Sequence, residues 1–177
     1  GLTLSELARM AGVSPAAIYR HYADLNALVG AVAHRGFGLF AEKLRTARDG
    51  AGAGMPGFRA MGHAYLRFAE ERPGPYAAMF PSTMAYSDAD LARAGQIAFN
   101  TLAEGLAGAL ADQGIDQGPA FSLAVKIWAL AHGIATLTAS GRLSPAIGAT
   151  PESMLLDGVE ALVSAARGTP GGARGLA

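Results

Sequence analysis

Apolar residues recur every three or four positions along almost the whole chain, and Gly or Pro interrupts them mostly where a run ends. That period sets them on one face of an α-helix, and no stretch alternates as a half-buried strand would. The pattern predicts an all-α protein. Thr3-Leu4-Ser5-Glu6 reads as a capping box, opening a helix that buries Leu4, Leu7 and Ala8 and stops near Met10. Gly12 supplies a tight turn. Ser14 caps a second helix, with Pro15 in the first turn where no donor is needed. Asp24 caps a third, over 25–47, whose apolar stripe is expected to be Leu25, Leu28, Val32, Leu39, Phe40 and Leu44.

Glycine crowds the stretch "DGAGAGMPG" at 49–57, which predicts a joint or mobile loop between residues 1–48 and a rear domain at 58–168. The rear begins with a helix carrying Phe58, Met61, Tyr65 and Phe68 on one face, stopped by Pro73. An aromatic and Met-rich piece, "GPYAAMFPSTMAY", follows. Ser87 and Asp90 then cap a helix through Leu91, Phe99, Leu102, Leu106 and Leu110, which ends at Gly114. Two more helices are expected at 119–141 and 150–168, and a disordered tail at 169–177.

Length and composition narrow the class. A chain of 177 residues, 51% hydrophobic and 16% charged, can bury a sizeable core. It has no cysteine, which removes disulfides and thiolate metal sites and suits the cytoplasm. It opens at Gly1-Leu2-Thr3 with no initiator Met, as a fragment would. The segment "PAFSLAVKIWALAHGIATLTASG" is the most membrane-like, but Lys126 and His132 inside it favour a buried helix over a bilayer span. Charge is zero overall and uneven along the chain. Residues 1–48 hold six basic and three acidic side chains, an excess of +3, and the remainder carries −3. A positive front suits contact with a polyanion.

Two short helices joined at Ala11-Gly12-Val13 have the layout of a helix-turn-helix. Ile18 and Tyr22 are expected to face inward with Val13, leaving Ala16, Ala17, Arg20 and His21 outward and Tyr19 at the rim. Such a helix fits the major groove of double-stranded DNA, and free N–H groups at Thr3 and Ser14 would suit phosphate. The stretch "LTLSELARMAGVSPAAIYRHYADLNALVGAV" resembles the DNA-binding domain of the tetracycline-repressor (TetR) family of bacterial transcription regulators, in order as well as content. The resemblance implies that Ser14, Pro15, Ala16 and Ala17 lie at or near the bases. It implies that Tyr19 and His21 bind phosphate, with Thr3 and Ser5 close to the backbone. Two departures stand out: a Lys usual at the start of the third helix is Leu25 here, and the family's first helix is missing from the 1–48 segment.

The rear resembles the family's ligand-binding and dimerisation domain, and "IWALAHGIATL" resembles the Trp-x-x-x-His-Gly signature of one subclass in Trp128, His132 and Gly133. A pocket for a small, mainly apolar effector is expected among Met61, Tyr65, Phe68, Tyr76, Met79, Phe80, Met84, Phe99 and Trp128, with His132 either reading a polar group of the effector or, as is commoner for a His beside a Trp, serving as a hydrogen-bonded core residue. Leu123, Ile127, Leu130, Ile134 and Leu137, with Leu155, Gly158, Val159, Leu162 and Ala166, suit a bundle seam, and the resemblance implies a homodimer through these two helices. The whole is expected to be a ligand-responsive DNA-binding regulator, most simply a repressor of a palindromic operator. The competing reading is a helical dimer module that binds no DNA in this truncated form. No nucleophile elbow, phosphate loop or metal-ligand spacing calls for an enzyme, a cofactor or a metal.

Overall fold

The computed structural model describes residues 2–80, 89–115, 118, 120–143 and 148–167. Among these, eight helices and no strand are present: α1 (Leu4–Met10), α2 (Pro15–Tyr19), α3 (Leu25–Ala51), α4 (Gly54–Glu71), α5 (Pro73–Met79), α6 (Ala89–Ala111), α7 (Ala120–Ala139) and α8 (Pro151–Arg167). Met84, Ser87 and the tail at 169–177 lie outside the described residues.

The front helices are set by their caps. Thr3 accepts from the Glu6 N–H while the Glu6 carboxylate takes both the Thr3 N–H, at 2.9 Å, and its hydroxyl, at 3.0 Å. The capping box is closed, so the Thr3 N–H is not free for phosphate as expected from sequence. Gly12 sits at φ +70°, a left-handed conformation that turns the chain after α1. Ser14 accepts from the Ala17 N–H, and Asp24 accepts from the Ala27 N–H at 2.8 Å. These side chains satisfy donors that the start of a helix leaves open.

Only Leu4 and Ala8 are buried in this front pair. Val13, expected to face inward with Ile18 and Tyr22, is 47% exposed, and those two are half-buried. A five-residue helix presents barely more than one turn, too little surface to enclose three side chains against α1.

Behind them, α3 packs on α4, α5 and α6, while α4 also meets α6, α7 and α8, and α7 pairs with α8. One continuous core links these helices. The expected stripe of α3 is rotated from the real one. Ala33, Phe37, Phe40, Ala41 and Leu44 are buried, whereas Val32 and Leu39 reach the surface. The glycine-rich stretch at 49–57 is largely helical: α3 runs through Gly50, α4 begins at Gly54, and only Gly52 and Ala53 break the path. Helices on both sides already pack on each other, and that burial outweighs the entropy glycine costs. Gly57 makes the approach possible, because a Cβ there would run into the Gly52 carbonyl and lie 3.1 Å from Arg48.

Part of the expected dimer stripes has a different destination. Leu123, Ile127, Ile134, Leu155, Val159 and Val163 are buried in this chain's own core. Gly158 lets α8 approach Leu130 of α7 closely, whereas a Cβ on Gly133 would meet open space. Helical spacing identifies the apolar face but not the surface that covers it. By length and composition α7 could cross a membrane, yet its inner face is part of that core.

Candidate functional site

Between α3, α4, α6 and α7 lies a cavity of about 400 Å³. Helix α3 contributes Phe37, Phe40 and Leu44, and α4 contributes Tyr65. Leu91, Gly95, Gln96, Phe99 and Leu102 come from α6, and Phe121, Val125 and Trp128 from α7, with Phe80 just after α5. The rings meet mostly edge to face: Phe37 and Phe80 at 5.6 Å, Phe40 and Tyr65 at 4.9 Å, Phe99 and Phe121 at 5.4 Å between centroids. Such contacts hold the wall in shape beyond what area burial contributes. Gly95 of α6 faces the Phe37 ring, which a Cβ there would meet at 3.4 Å in ordinary contact.

Of the expected pocket residues, Tyr65, Phe80, Phe99 and Trp128 line this chamber. Met61, Phe68, Tyr76 and Met79 do not; they are buried in the surrounding core. Both methionines fill space left by glycines: a Cβ on Gly105 would collide with the Met61 sulfur, and one on Gly36 would lie 2.9 Å from the Met79 sulfur. A flexible thioether beside a glycine is core filling. The α3 residues Phe37, Phe40 and Leu44 were absent from the expected list, as were Phe121 and Val125. For the α3 residues the sequence carried a signal in the 33–37–40–44 spacing, but a second, overlapping stripe through Val32 and Leu39 competes with it.

His132 sits behind the aromatic wall. Its Nδ1 lies 2.9 Å from the Tyr76 hydroxyl and 3.4 Å from that of Tyr65, and the two hydroxyls are 3.3 Å apart. Burial pushes the Tyr76 hydroxyl up to about 12, partly offset by hydrogen bonds from Tyr65 and Thr136, and raises Tyr65 as well. Burial lowers His132 below its ordinary value of 6.5. The imidazole is therefore neutral at neutral pH, and its Nδ1 and the two hydroxyls form one hydrogen-bonded cluster. This network fixes Tyr65, the one member that also faces the cavity.

At the front, Tyr19 is 52% exposed, and Arg20, His21, Ala16, Ser14, Ser5 and Thr3 are exposed, with Ala17 half-buried. Helix α2 ends at Tyr19, so Arg20 and His21 stand in the turn that follows, held by His21 and Tyr22 N–H groups donating to the Ile18 carbonyl at 3.0 Å. One surface thus carries three hydrogen-bonding side chains in a row after a helix-turn-helix.

Residues 58–162 match the family model described as the tetracyclin repressor-like C-terminal domain. The chain belongs to the TetR family. A solved protein of unknown function from Rhodococcus sp. RHA1 is similar to this TetR-family chain at 30% identity, covering 93% of this chain and 84% of that one, with a TM-score of 0.77. A protein from Pseudomonas aeruginosa PAO1, provisionally named a transcriptional regulator, shares the fold at 23% identity, with 93% and 80% covered and a TM-score of 0.69. Another, provisionally named a regulatory protein, shares it at 18% identity, with 92% and 85% covered and a TM-score of 0.70. No curated protein matches the chain in sequence. Membership of this family makes the chain a transcription regulator.

Proposed function

We propose that this TetR-family chain is a ligand-responsive cytoplasmic repressor that leaves a palindromic operator when a small, mainly apolar effector fills the chamber. The supporting observation is α3. It begins at the Asp24 cap directly behind the reading turn and, in the same unbroken 27-residue helix, places Phe37, Phe40 and Leu44 in the chamber wall. An effector that fits one position of this helix better than another shifts its population, and DNA affinity changes only as far as that preference allows.

In the dimer, two reading helices stand roughly 34–36 Å apart, one turn of duplex. The remaining unfilled face of α7, with exposed Ala129 and Leu137 beside the open space at Gly133, supports pairing there with a second copy. Ser14, Ala16 and Ala17 face the bases, while Tyr19, Arg20 and His21 hold phosphates, and Thr3 and Ser5 lie alongside the backbone.

Titrating the protein into double-stranded fragments that flank its own gene tests the reading. Tyr19→Ala with His21→Ala is expected to weaken binding by about tenfold on specific and non-specific duplex alike, because phosphate contacts carry no sequence information. Unchanged affinity in that variant ends the assignment. The second reading, an interaction module without DNA binding, is favoured by the two-residue core of the front helices, and it predicts no shift of any duplex at low salt.

A further inference from the structure

We propose that the chamber accepts uncharged, ring-bearing, hydrocarbon-like molecules and rejects ions of the same shape. This rests on the chamber being the effector site and adds the chemical class of the effector. Among the described residues, no Asp, Glu, Lys, Arg or His side chain lines the cavity. Its three polar side chains are already engaged, the Trp128 indole N–H donating to the Tyr65 hydroxyl. The Tyr65 hydroxyl is tied to Tyr76 and His132, and the Gln96 amide donates to the Asn100 oxygen at 2.8 Å.

An ion entering this space gives up hydration and finds no counter-charge among the described lining residues, a penalty that a neutral ring does not meet. The first turn of α6 touches the chamber through Leu91 and Ala92, but Asp90 beside them sets a carboxylate against the positive end of the helix dipole. The exposed rim of the lining is mostly apolar: Phe121, 63% exposed, and Val125 carry it out to the surface of α7, with Gln96 its polar member. Flat rings suit walls made of ring edges and faces, where each new contact repeats the geometry the walls already use.

Two fluorescent probes with one ring system separate charge from shape: N-phenyl-1-naphthylamine, which is neutral, and 1-anilinonaphthalene-8-sulfonate, its anionic counterpart. Each is titrated into the full chain without DNA. The amine is expected to bind at least about tenfold more tightly than the sulfonate. Ala92→Trp, which adds bulk at an exposed position of the lining, is expected to weaken the amine by about tenfold or more while the melting temperature stays constant. Sulfonate binding as tight as the amine and equally lost in Ala92→Trp overturns the proposal. So does absence of amine binding, or amine binding that Ala92→Trp leaves unchanged. Because the readout involves no operator, failure to bind DNA leaves this result standing, and failure here leaves operator binding untouched.

Discussion

The two ends of α3 sit in different physical settings. At its start, α1 and α2 bury Leu4 and Ala8 and leave Met10, Val13 and Tyr19 in contact with solvent. Toward its end, thirty hydrophobic side chains among the described residues form one core from α3 to α8. Local chemistry carries the front: three caps and one left-handed glycine fix the path of the backbone. Packing carries the rear, where glycines and methionines adjust the distance between helices. A surface that must fit a partner keeps its polar groups outside and has little left to bury. The helices behind it can hold a cavity open only because a large core surrounds it.

This contrast is best broken by removing the same kind of side chain from each region. Leu106→Ala, at a fully buried position of α6, is expected to cost about 3 kcal/mol and lower the main melting transition by roughly 6–12 °C. Leu4→Ala removes as many atoms but from a core that the bundle does not share. Its expected effect is faster amide exchange in α1 and α2 and lost operator affinity, with the main transition within about 2 °C of the parent. Equal shifts in the two variants would mean that front and rear melt as one unit.

Arg20→Ala sharpens the comparison from the functional side. Truncating an exposed cation should leave stability within about 0.5 kcal/mol. The slope of log affinity against log salt is expected to flatten by about 0.9 for each chain of the dimer, since one phosphate contact is lost. An unchanged slope places Arg20 away from the duplex.

The smallest effect comes from pH. Burial depresses His132 in the folded protein, so the unfolded chain binds the proton more readily. The stability that this neutral imidazole contributes is therefore complete above the ordinary value of 6.5 and is lost progressively as pH falls below it. Melting at pH 7.5 and 5.5 should show a decline in the parent that is reduced in His132→Gln. Since the ring lies behind the chamber wall and not at the front, operator contacts need not be present for the decline.

What the sequence made legible follows the same division. Thr3, Ser14 and Asp24 declared themselves as caps because a cap depends on neighbours three residues away, and each makes its expected bond. The Phe58, Met61, Tyr65 and Phe68 face of α4 was equally clear, because no other face of that helix is as apolar. Helix α3 was harder. It offers two overlapping stripes, and only tertiary contact decides that Phe37 turns inward and Leu39 outward. The chamber was legible as a collection of rings and not as a shape. Whether Met61 fills a gap or lines one depends on Gly105, forty-four positions away, and whether His132 faces a ligand depends on Tyr76. Those distances in sequence are what a periodicity leaves out.

The unbroken length of α3 has a mechanical corollary. From Phe40 in the chamber wall to Leu25 behind the reading turn is fifteen helical steps, about 22 Å at 1.5 Å each. A swing of about 5° at the inner point therefore carries the outer point about 2 Å, more than half the rise of one base pair along the duplex. On the proposed reading the chamber has no need to reshape itself to be heard at the front: a slight misfit between rings, multiplied by the arm, would put two heads out of step with the grooves.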